Sequence, residues 1–95
     1  MALTRHLIRK GMGYSVGYSP TLRKHLLQTV TGIAVRYFEI SREEYTTYTQ
    51  DPSTLDTLAT KCKNLGKGST RFVCSSVLTE NTPSQAASYQ QLMNG

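Results

Sequence analysis

Apolar residues along the chain fall into short blocks whose spacing alternates between helical and extended periods. Leu3, Leu7 and Ile8 form a stripe within Ala2–Lys10, where Thr4 can cap a short helix and Gly11 and Gly13 stop it. Gly13 to Ser19 alternates glycine and tyrosine with small residues and reads as extended or looped. Ser19-Pro20 is a helix-entry signature, since serine caps and proline fits the first helical position. The following TLRKHLLQTV places Leu22, Leu26 and Val30 at i, i+4 and i+8, with Leu27 beside them. That spacing predicts a helix over about 20–30, ending before Gly32.

Ile33 to Ile40 (IAVRYFEI) is rich in strand-favouring residues and carries bulk on both sides, as expected for a strand partly covered on both faces. Ser41 and Glu44 form a capping-box pair at the start of a helix over about 42–49. Asp51-Pro52-Ser53 breaks that helix. Ser53 and Asp56 repeat the capping spacing before a further helix, whose apolar positions Leu55, Leu58, Ala59 and Cys62 continue to Lys63 or Leu65. Asn64 and Gly66 close it. Arg71 to Leu78 (RFVCSSVL) is the second strong strand, with Phe72, Cys74, Ser76 and Leu78 opposite Val73, Ser75 and Val77. The segment from Thr79 begins as a polar turn, and a short helix over Gln85–Met93 fits the remainder. The expected architecture is α+β: a two- to three-stranded sheet packed against short helices, in a single domain spanning 1–95 with 79–95 as a loose tail.

Ninety-five residues suffice for one domain. A chain of this size buries only about 60–65% of its unfolded surface, so docking or oligomerisation is a natural source of further burial. No run approaches the roughly eighteen apolar residues that span a bilayer. The basic, acid-free start lacks the apolar core of a secretory signal, and its amphipathic pattern is interrupted at Gly11–Gly13. The expectation is a cytoplasmic protein with no transmembrane segment. Cys62 and Cys74 are too few for a disulfide framework, and neither stands at metal-binding spacing from His6 or His25. Neither a metal nor a cofactor is expected.

Charge changes the picture most. The net charge is +5, and it is unevenly laid out. Residues 1–38 hold six cations and no acid, whereas residues 39–95 hold five cations and six acids. A one-signed field of this kind steers acidic partners. Catalytic motifs, by contrast, are missing from the sequence. Gly11-Met12-Gly13 lacks phosphate-loop spacing, and in Lys67-Gly68-Ser69-Thr70 the lysine precedes its glycine. Adjacent Glu43 and Glu44 point apart on a helix.

Gln28-Thr29-Val30-Thr31-Gly32 resembles the QxVxG string of cystatin-type cysteine-protease inhibitors. The resemblance covers five residues. The chain has no tryptophan for the second inhibitory hairpin of such proteins, and no family is identified from the full sequence.

The expected function is therefore non-enzymatic: a docking, assembly or accessory factor that binds an acidic protein or larger complex. Its expected contact residues are Arg5, Arg9, Lys10, Tyr14, Tyr18, Arg23, Lys24 and Arg36, a basic set interleaved with tyrosine, whose ring and hydroxyl suit interfaces. The alternative is a small protein binding RNA or single-stranded nucleic acid, with cations on phosphates and tyrosines stacked on bases. Homo-oligomerisation is compatible with either.

Overall fold

The computed structural model describes residues 10–11 and 14–94. The helix expected over Ala2–Lys10 lies outside them except for Lys10, which opens a strand. The fold is α+β, as expected, but the sheet is larger than two or three strands. Four substantial antiparallel strands, β2 (Tyr14–Ser19), β3 (Lys24–Thr31), β4 (Ala34–Ile40) and β5 (Phe72–Ser75), pair in sequence order, and the two-residue β1 (Lys10–Gly11) borders β2. The described residues also hold three α-helices: α1 (Arg42–Gln50), α2 (Asp56–Leu65) and α3 (Pro83–Asn94).

The helix expected over 20–30 is instead a turn and a strand. Ser19 Oγ does accept the Leu22 N–H at 3.3 Å, so the entry signal operates for one turn. Arg23 then adopts φ 56°, which reverses the chain and pairs Lys24 with Ser19 across a hairpin. Leu26 and Leu27 are adjacent, so in a strand they serve opposite faces, and both are fully buried. A strand apolar on both faces carries the same residues that imitate a helical stripe.

Two cores result. Val16, Leu27, Phe38 and Ile40 project from one sheet face against Tyr48 of α1 and Ala59 and Cys62 of α2. Leu26, Tyr37 and Cys74 project from the other against Leu92 and Tyr89 of α3. Residues 79–94 are thus folded onto the sheet through α3. Between β4 and β5 the register shifts at Tyr37/Phe38, with Tyr37 opposite Cys74 and Phe38 opposite Phe72. Val73 is the extra residue of this bulge, which puts Phe72 and Cys74 in different cores rather than on one side of the strand as expected. The strand also ends at Ser75, not Leu78.

Local signals on the helices fare better. Ser41 Oγ accepts the Glu44 N–H while the Glu44 carboxylate accepts the Ser41 N–H, completing the capping box. Ser53 and Asp56 do not cap α2. Asp51 accepts the Ser53 N–H and starts a 3-10 turn over Pro52–Leu55 that runs directly into the helix. Gly66, at φ 53°, ends α2 in a backbone conformation that favours glycine.

Candidate binding surface

Those of the eight expected contact residues that the structure describes separate once folded. Arg5 and Arg9 lie outside the described residues, and Lys10 contributes backbone to β1. Tyr14 is buried in the core under α1 and α2, where its hydroxyl donates to Asp56 Oδ1 at 2.7 Å and its ring tilts against Tyr48. Tyr18 is half-buried. Its ring packs on His25, which in turn packs on Tyr45 of α1, with centroid separations of 4.9 and 4.5 Å. Burial of His25 pushes its pKa down, and the Arg42 charge adds to this.

Arg36 is held in a two-pronged ion pair. Its Nε and Nη2 donate to the two Glu80 carboxylate oxygens at 2.9 and 2.7 Å. The Arg36 hydrogen bonds hold the Glu80 carboxyl well down, at about 2. Lys24 pairs with Glu39 at 3.1 Å, but both side chains are largely exposed. A pair of that kind contributes about 0–1 kcal/mol and exchanges partners readily. Arg23, exposed at the apex of the β2–β3 turn, makes no ion pair among the described residues. Folding therefore leaves Arg23 and, through exchange, Lys24 from this set on the surface, and places Tyr14 and Arg36 in structural roles.

Other cations, which the sequence reading left out of its contact set, are exposed. Arg42 begins α1, Lys61 and Lys63 lie on α2, and Lys67 sits in the 3-10 turn Gly66–Gly68; none makes an ion pair among the described residues. The carboxylates behave differently. Glu39, Glu44 and Glu80 are in ion pairs, Asp56 takes the Tyr14 hydroxyl, and Asp51 caps Ser53. For Glu44, burial works to raise the pKa, but hydrogen bonds from Arg71 and Ser41 outweigh it and the net shift is downward. Which cations remain uncompensated is decided by the distant carboxylates that Lys24, Arg36 and Arg71 meet in the fold, not by the bare count. That information is tertiary.

The thiols are internal. Cys62 lies in the first core and Cys74 in the second, on opposite sheet faces, and both are free. Burial raises both pKa values, that of Cys74 to about 12. Among the described residues no group of three or more histidine, cysteine or acidic side chains is placed to hold a metal ion, and no helix is long and apolar enough to cross a membrane.

The QxVxG string occupies the second half of β3 and the turn that follows, not the end of a helix. A strand rather than a long helix precedes it, so the likeness to cystatin-type inhibitors stays at five residues. No protein-family model, curated protein or solved structure matches the chain.

Proposed function

We propose that the chain is a non-enzymatic docking or assembly protein that binds an acidic surface on a protein partner. The supporting observation is the asymmetry of ion pairing. Five of the six carboxylates are engaged within the fold, whereas Arg23, Arg42, Lys61, Lys63 and Lys67 make no ion pair among the described residues. The surplus positive charge is thereby turned outward, where it raises encounter rates with acidic partners.

The alternative partner, RNA or single-stranded nucleic acid, calls for aromatic faces on which bases stack. All six tyrosines and both phenylalanines are buried or half-buried, none exposed. This favours the protein partner over the nucleic acid.

Native mass spectrometry of the protein, purified gently at low salt from its own cells, tests the choice. A discrete added protein mass is the expected result. Heterogeneous masses at nucleotide spacing, stripped by salt, would replace this reading with the nucleic-acid one.

A further inference from the structure

Among the described residues the most exposed large apolar side chain is Ile33, 94% accessible at the tip of the β3–β4 hairpin. The turn consists of two residues, Gly32 and Ile33, between the paired Thr31 and Ala34. Only Gly32 has a positive φ, at 60°, the pattern of a type II′ turn, whose backbone twist matches that of the flanking strands. Val30 beside it is 49% exposed. Leu78, 63% exposed, belongs to the same end of the sheet, because Ser76, two residues before it, donates its N–H to the Val35 carbonyl and accepts the Val35 N–H on its hydroxyl. Stiff β-branched side chains on a fixed turn lose little entropy on burial, so the tip is prepared to bind.

We infer that this hairpin tip is the apolar anchor of the docking surface, and that it inserts into an apolar cleft with an acidic rim on the partner protein. The inference rests on the docking reading above and supplies its apolar contact. Shape and charge choose the occupant. The tip is convex, so it fits a cleft and does not interlock with an identical tip on a second copy of a like-charged chain. Lys67 stands at this end, next to Gly66, where a Cβ would lie 3.8 Å from Nε of Arg36 in the Arg36–Glu80 pair. Lys67 supplies a cation to meet the rim. A lipid surface is disfavoured, since interfacial anchoring draws on exposed tyrosine or tryptophan and the chain offers neither.

The test uses the full chain carrying a photoreactive benzophenone side chain at position 33, and separately at exposed Gln90 on α3, produced in its own cells. A discrete protein adduct from position 33 and none from position 90 is expected. That protein, purified, is then titrated with the wild-type chain and with Ile33→Ser, whose fold is checked by circular dichroism. Loss of one buried isoleucine contact weakens binding by about 10- to 100-fold. Adducts only to lipid or to a second copy, equal yields from both positions, or unchanged affinity of Ile33→Ser overturn the inference. A partner that is released by Arg23 and Lys61 charge reversal yet binds Ile33→Ser normally leaves the docking reading standing and removes the tip. No protein partner from cross-linking or co-purification removes both.

Discussion

The side-chain amide of Asn81 pairs with both backbone groups of Ser75: its Oδ1 accepts the Ser75 N–H at 2.9 Å and its Nδ2 donates to the Ser75 carbonyl at 3.0 Å. Because Ser76 N–H points to Val35 on β4, the Ser75 groups point away from the sheet, along the outer edge of β5. Asn81 thus occupies the place of a sixth strand for one residue and blunts an edge that would otherwise template pairing with another chain. Asn81→Ala leaves both Ser75 groups without these partners at a residue that is fully buried. The expected loss is about 1–3 kcal/mol in urea denaturation, with concentration-dependent self-association in gel filtration. A variant as stable and as monomeric as the parent would remove this role.

Glu80, one residue earlier, sets an acid limit. Its folded pKa, about 2, lies below the ordinary carboxylate value, so the Arg36 contact stabilises the fold fully above about 4.5. That contribution is lost as pH falls from there through about 2. The melting temperature should decline across this window, and Glu80→Gln should flatten part of the decline while lowering stability at pH 7. An unchanged pH profile in Glu80→Gln would show that the pair does not bear on stability.

Thr29 offers a stabilising substitution. Its hydroxyl is buried with no hydrogen-bond partner among the described residues, between Tyr14 and Arg36 in the sheet register. Thr29→Val keeps the shape and strand preference and removes the unsatisfied oxygen, so unfolding should become harder by about 1–2 kcal/mol. Destabilisation would mean that the hydroxyl has a partner in solution.

Tyr14→Phe separates packing from hydrogen bonding. The ring stays against Tyr48 while the bond to Asp56 is lost, and a cost of about 1–2 kcal/mol is expected in chemical denaturation. Partner binding by the folded variant should be unaltered, because Tyr14 is interior. A binding defect without a stability defect would return Tyr14 to the contact surface.

The cysteines should resist a thiol reagent in the native state and react together on unfolding. Both are buried, with pKa values raised by burial, and the sheet lies between them. Rapid labelling of either at neutral pH without denaturant would contradict this placement. An intramolecular disulfide found in the native protein would contradict it as well.

Signals confined to a few neighbouring residues were legible in the sequence. The Ser41–Glu44 box, the α1 and α2 segments, the β4 strand and the interior position of Cys62 all follow from local spacing. One such signal went unused: Thr82 and Gln85 exchange hydrogen bonds as a second capping box, with Pro83 in the first helical position, and together they announce α3.

What the sequence by itself determined, then, is the class of fold, most of the helical starts and the excess of cations. Each depends on interactions spanning a few residues, or on composition alone. Tertiary structure decided the rest. Leu22, Leu26, Leu27 and Val30 satisfy a helical period and a two-faced strand equally, and only pairing of Lys24–Thr31 with β2 and β4 on either side made the strand the better burial. The same pairing decided which charges stay outside. Arg36 and Glu80 are 44 residues apart, and so their neutralisation, like the exposure of Ile33, exists only once the strands have met.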